Sequence, residues 1–195
     1  MAFSAALPRT EVLADLAGRS RVRDAVAVLA GAAWVAAVGQ VQIPLGFTPV
    51  PLSLGTFAVL TAGLALGARR AALSLALFAL VGFAGAPVFA GGAHGIAVPT
   101  AGYIVGYIAA ATLAGWASNR GVDRKVAPSF VVIALCSAVV YLIGVPYLAY
   151  ATDTTIGQAL TTGMFPFLLG DAIKAAAASA AFPAAWKVIT KLRDR

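Results

Sequence analysis

"LSLGTFAVLTAGLALGARRAALSLALFALVGFAGAP", residues 52–87, contains two charge-poor runs, 52–67 and 71–87, divided only by the "GARR" of residues 67–70. A bilayer-spanning helix needs roughly 20 mainly apolar residues. Two runs near that length, joined by a tight turn carrying Arg69 and Arg70, read as a pair of membrane helices. Further runs lie at about 25–43, 101–117, 129–149 and 160–183. None alternates with period two, which disfavours a lipid-facing β-barrel. The expectation is an all-α membrane protein with six transmembrane helices.

Composition agrees. The 195 residues are 61% hydrophobic and 11% charged, against about 25% charged for an ordinary soluble domain. The single cysteine, Cys136, lies in an apolar run and excludes a disulfide framework or a Cys-based metal site. Residues 1–24 lack the short apolar core of a signal peptide and are expected to be retained as an N-terminal segment. A membrane domain over 25–187 and a basic tail over 188–195 complete the organisation.

Basic residues set the topology. Arg9, Arg19, Arg21 and Arg23 precede the first span, and Arg69 and Arg70 separate the second from the third. Arg120, Arg124 and Lys125 separate the fourth from the fifth, while Lys187, Lys191, Arg193 and Arg195 follow the sixth. These are thirteen of the fourteen Lys and Arg, all on one face of the membrane. The positive-inside rule makes that face cytoplasmic and places both termini inside, in a multi-pass cell-membrane protein. The formal charge of +7 is thus a topology signal with attraction to anionic lipid as a consequence. Nucleic acid is a poor partner for charge so dispersed among loops.

The fourteenth basic residue is Lys174, in "GDAIKAAAAS" (170–179), and six of the seven acids also fall in loops or tails. Asp171 is the seventh. This pair supplies the only full charges expected within the hydrocarbon, and at i and i+3 they share a helix face. With the span starting near 160, Asp171 would lie roughly 15 Å from its outer end; a start at Pro166 would leave it in the outer half. Three readings fit: a structural ion pair, a polar grip on a ligand in an outward-opening cavity, or a proton relay short of a second buried acid. Intramembrane ionisable residues favour function as the working hypothesis. An Asp accepts N–H bonds and a Lys donates to carbonyl or carboxylate oxygen, so a cyclic urea would satisfy both.

The loops on the opposite face carry no Lys or Arg. "QIPLGFTPVPLSLGTF" (42–57) holds Pro44, Pro49 and Pro51 and cannot be a regular helix. Being apolar, it is expected to fold over the bundle as a cap. "GFAGAPVFAGGAHGIAVPTAGY" (82–103) is glycine-rich and suits a re-entrant loop or a ligand lid. His94, the sole histidine, has no carboxylate or cysteine cluster beside it to complete a metal site. Small-residue pairs in the first span, Ala32/Ala36 and Ala33/Ala37, would allow close helix contacts within the bundle or with another subunit.

Taken together, "VQIPLGFTPVPLSLGTFAVLTAGLALGARR" (41–70), "GFAGAPVFAGG" (82–92), "PTAGYIVGY" (99–107) and "GDAIKA" (170–175) closely resemble the BioY family. BioY proteins are the biotin-recognising S components of energy-coupling factor (ECF) vitamin transporters. The resemblance spans about residues 30–185 and implies the S-component fold, with a substrate pocket on the extracytoplasmic side. It implies that Asp171 and Lys174 contact biotin, that Phe47, Thr48, Pro49 and Val50 form a lid, and that Phe89, Gly92 and Tyr103 form pocket wall. It also implies that Ala32 and Ala36 dock a transmembrane coupling subunit. His94 departs from the family's pattern, where glycine or another small residue is typical. No GxxxxGK[ST] phosphate loop is present, so ATP hydrolysis is assigned to partner ATPase subunits. One His, one Cys and one intramembrane acid do not make an intramembrane enzyme, and nothing calls for a cofactor. The alternatives within transport are an S component for another vitamin and a solitary secondary carrier.

Overall fold

A computed structural model describes residues 11–18 and 20–193. Arg9, Arg19 and Arg195, used above to set topology, lie outside the described residues, as do Asp194 and residues 1–10 of the expected N-terminal segment. The helices are α1 (Arg21–Val38), α2 (Gly55–Leu66), α3 (Ala68–Phe83), α4 (Ala101–Ser118), α5 (Val126–Ala151), α6 (Ile156–Gly163) and α7 (Leu168–Arg193). Between α1 and α2, β1 (Gln42–Ile43) pairs antiparallel with β2 (Leu52–Ser53), Gln42 opposite Ser53 and Ile43 opposite Leu52. Among the described residues, three segments are long and apolar enough to cross a membrane: α4, α5 and the stretch Ile156–Arg193.

α4 is the centre of the bundle. Its Ala110, Ala111, Ala114 and Gly115 are buried, and these small side chains let α2, α3 and α5 approach on three sides. At Gly115 a Cβ would fall 2.5 Å from the backbone of Gly67 and Ala68, so the turn between α2 and α3 rests directly on α4. α2 has only twelve residues, about 18 Å of helix, and buries Ala58, Val59, Leu60, Ala62, Gly63 and Leu64. A helix so short and so enclosed is bundle interior.

The structure moves several expected boundaries. α1 begins at Arg21 rather than residue 25, so Arg21, Arg23 and Asp24 belong to the helix, and Ser20 caps it by accepting from the Arg23 N–H. Residues 42–43 and 52–53, expected at the ends of the first two spans, form the hairpin instead. The turn between α2 and α3 narrows to Gly67, at φ +78°, with Arg69 and Arg70 inside the first turn of α3. The sixth span does not start near 160. α6 ends at Gly163, a 3-10 turn covers Phe165–Phe167, and α7 begins at Leu168. Pro166 sits at the start of that turn, where its missing N–H costs nothing. α7 then runs past the expected end at 183, through Pro183, to Arg193. At 26 residues it is about 39 Å long, which exceeds the roughly 30 Å hydrocarbon core; Lys187, Lys191 and Arg193 occupy the excess.

Candidate functional site

The break between α6 and α7 restarts the helix at Leu168, with Phe167 and Asp171 turned into the bundle. Asp171 lies in the first turn of α7, where the helix dipole favours a negative charge. It is 8% exposed, and both of its carboxylate oxygens have partners, with one acceptor site left on Oδ2. Oδ1 accepts from Lys174 Nζ at 3.0 Å and from the Thr56 hydroxyl at 3.4 Å, and Oδ2 accepts from the Tyr141 hydroxyl. Lys174 Nζ also reaches Thr56 Oγ1 at 3.5 Å. One acid from α7 is therefore held by its own helix, by α2 and by α5. Paired and hydrogen-bonded in this way, a buried charge is tolerable. Lys174 still has donor capacity, since its ammonium carries three N–H groups.

This cluster borders a small cavity of about 40 Å³. Val50, Pro51, Ser53, Tyr103 and Tyr107 line that cavity and also a larger one of about 160 Å³. The larger cavity is walled by Phe78, Phe89, Val98 and Ile104 and roofed by Pro49, Val50 and Pro51 of the β1–β2 hairpin. The two cavities share five wall residues, so an apolar chamber under the hairpin lies beside a smaller cavity bordered by Asp171 and Lys174.

Glycines make room for these walls. A Cβ on Gly82 would overlap the Phe89 ring, and Cβ atoms on Gly144 and Gly163 would overlap Tyr103. Phe89 stacks edge-on against Phe78 and Phe83, with both centroids at 5.4 Å. Tyr103 is buried, donates to the Gly163 carbonyl at 2.9 Å, and meets Tyr141 edge-on. Gln40, just past α1, braces the irregular loop that follows α3. Its Nε2 donates to the Val88 and Phe89 carbonyls, both at 3.0 Å, and its Oε1 accepts from the Gly92 N–H at 3.2 Å. That loop turns at Gly91 and Gly92, both at positive φ.

Of the residues singled out from sequence, Asp171, Lys174, Pro49, Val50, Phe89 and Tyr103 line the site. Gly92 shapes the loop behind it. Thr48 stabilises the hairpin tip, its hydroxyl accepting from the Val50 N–H at 3.1 Å. Phe47 is 62% exposed and lines neither cavity, because the tip carries it outward. His94 is exposed and bonds only locally, Nδ1 lying 3.2 Å from the Gly92 carbonyl. Ala32 is buried in the bundle's own core and Ala36 packs partly against it. That register serves contacts inside the bundle, and Ala33 and Ala37 are the exposed pair. Sequence reasoning missed Thr56, Tyr107, Tyr141 and Gln40. Their signal was a polar group within or beside an apolar run, since a hydroxyl at membrane depth needs a partner.

The fold and site define a membrane-embedded helical binding protein with a pocket beneath the hairpin, apolar on one side and bordered by a charged pair on the other. The BioY family model matches residues 10–191. A biotin transporter BioY from Rhizobium etli is 36% identical over 80% of this chain and 89% of the relative. Biotin transporter BioY2 from Lactococcus lactis subsp. cremoris is 34% identical over 74% and 80%, respectively. The crystal structure of the S component for biotin from an ECF-type ABC transporter superposes with a TM-score of 0.76 at 23% identity, covering 86% of this chain and 92% of that one. The chain belongs to the BioY family, and its fold is that of an ECF S component.

Proposed function

We propose that this protein is the biotin-capturing subunit of a vitamin uptake transporter in the cell membrane. The observation that carries the reading is the Asp171–Lys174–Thr56–Tyr141 cluster beside an apolar chamber. Biotin presents a ureido ring with N–H donors beside a carbonyl, a fused sulfur ring with an alkyl chain, and a carboxylate. The ureido group suits the cluster: Asp171 accepts an N–H and Lys174 donates to the carbonyl oxygen. The biotin carboxylate suits it poorly, because it would face the Asp171 carboxylate at close range. The apolar ring and chain then lie against Phe78, Phe89 and the hairpin prolines.

The chain crosses the membrane six times with both termini inside. The basic ends of α1, α3, α5 and α7 face the cytoplasm, and the hairpin side faces out. Phe47, Thr48, Pro49 and Val50 belong to a lid segment that must move for biotin to enter. The subunit binds and releases; a transmembrane coupling subunit and ATPases supply the energy. The exposed α1 face at Ala33 and Ala37 is the docking register.

Titration of purified protein with biotin, thiamin and riboflavin tests this reading. The expected result is sub-micromolar binding of biotin alone. A biotin amide should retain binding and an N-methylated ureido analogue should lose it; the reverse order would overturn the assigned orientation.

A further inference from the structure

The opposite end of the bundle carries a second site. A cleft of about 1130 Å³ opens between α1 and α3 beside the α2–α3 turn. Arg21, Arg69 and Arg70 stand at its mouth, and Val28, Leu29, Leu73 and Leu77 line it further in. Both helices start at the basic end and run outward, so the gradient from guanidinium to hydrocarbon has the same direction on both walls. On α3, Leu73 and Leu77 lie four and eight residues beyond Arg69, which places them about 6 and 12 Å deeper on the same face. On α1, Val28 and Leu29 follow Arg21 by two helical turns.

The charges are not balanced by the protein. Arg70 is engaged by Asp15 and, at 3.6 Å, by Asp24, the only carboxylate among the described residues that line the cleft. Arg21 and Arg69 are exposed and pair with no carboxylate among the described residues. Leu29 and Leu73 are also exposed, at 60% and 50%. Two free guanidiniums above a lipophilic trench match one class of molecule, a phospholipid with an anionic headgroup. We infer that this cleft is a binding site for an anionic phospholipid, its phosphate held between Arg21 and Arg69 and an acyl chain lying along Leu29, Leu73 and Leu77. The inference rests on the orientation proposed above, which puts these arginines at headgroup level, and is independent of what the outer pocket binds.

Native mass spectrometry of the detergent-purified chain tests it, with dioctanoyl phosphatidylglycerol and dioctanoyl phosphatidylcholine as probes. Phosphatidylglycerol should bind preferentially. The Arg21→Gln/Arg69→Gln variant should weaken it about 25-fold, at about 1 kcal/mol per arginine. Arg21→Lys/Arg69→Lys should restore most of the preference, and Lys187→Gln/Lys191→Gln, equal in charge removed but outside the cleft, should leave it unchanged. Equal binding of the two lipids, or equal loss in both glutamine pairs, would overturn the site. Soluble glycerol phosphate competing as well as the lipid would overturn the role of the trench. A chain that binds biotin without preferring phosphatidylglycerol leaves the transport reading standing and removes this one.

Discussion

The two ends of the bundle are built from the same alanine-rich helices but use polar groups in opposite ways. At the outer end, side chains are spent on backbone carbonyls: Gln40 on Val88 and Phe89, Tyr103 on Gly163, Tyr147 on Ile96. The one ion pair there, Asp171–Lys174, faces a cavity. At the basic end, acids and aromatics are spent on cations. Asp15 and Asp24 engage Arg70, Glu11 meets Arg193 at 3.7 Å, and Arg120 and Arg124 stack over Trp116 and Trp186. Neutral hydrogen bonds fix the outer loops, so the full charges bordering the pocket are those of Asp171 and Lys174. The basic end neutralises part of its charge and keeps the remainder to set orientation.

The sharpest way to break this contrast is to remove the outer charges. Asp171→Asn and Lys174→Ala should each weaken biotin binding about 100-fold by calorimetry, the scale of a lost charge-assisted hydrogen bond with a buried partner left behind. Well-folded variants with unchanged affinity would return the pair to a structural role. The next largest effect belongs to Gly82→Ala. The added methyl would displace Phe89 at a cost of about 1–3 kcal/mol and should weaken binding about tenfold, with Phe89→Leu in the same chain recovering part of the loss. Gln40→Ala leaves the charges and the wall residues in place and frees only the loop. It should weaken binding a few-fold, through faster release, and expose residues 84–100 to proteolysis; an unchanged off-rate would show that the brace is redundant.

Much of this contrast was legible in the sequence because it follows from single residues. The charge-poor runs, the one-sided arginines and the isolation of Asp171 and Lys174 stand out without a structure, though the sequence leaves the role of that pair open among three readings. The prolines of 44–51 excluded a helix there on covalent grounds alone. What was not legible depends on facing. α1, α4 and α7 are alanine-rich almost all round, so periodicity gives no direction, and Ala32 could not be told from Ala33. The Tyr141–Asp171 contact joins residues thirty positions apart on different helices. Only the packing of α5 on α7 brings them together. The α6–α7 break was signalled by Pro166, but its consequence, a first helical turn that places Asp171 beside the pocket, needs the three-dimensional path.

The smallest effect concerns the basic end and is read as a slope. Asp123 lies in the α4–α5 connection, fully buried, with Oδ2 accepting from Trp186 Nε1 at 2.5 Å. Burial pushes its carboxyl above the ordinary value of 3.8, and the Trp186 hydrogen bond and nearby Arg124 only partly oppose that. A raised folded-state pKa means the folded chain holds this proton after the unfolded chain has released it. Its contribution is therefore full below the unfolded value and is lost as pH rises through the window up to the folded value. Asn keeps an acceptor for Trp186 and has no proton to lose, and any cost of its buried amide is the same at every pH. Melting temperatures of wild type and Asp123→Asn should therefore diverge as pH rises above the unfolded value of about 4, with the variant gaining at the higher pH. Parallel curves would mean that Asp123 is ionised in the folded protein throughout, and that this end tolerates a buried charge as readily as the outer end tolerates Asp171.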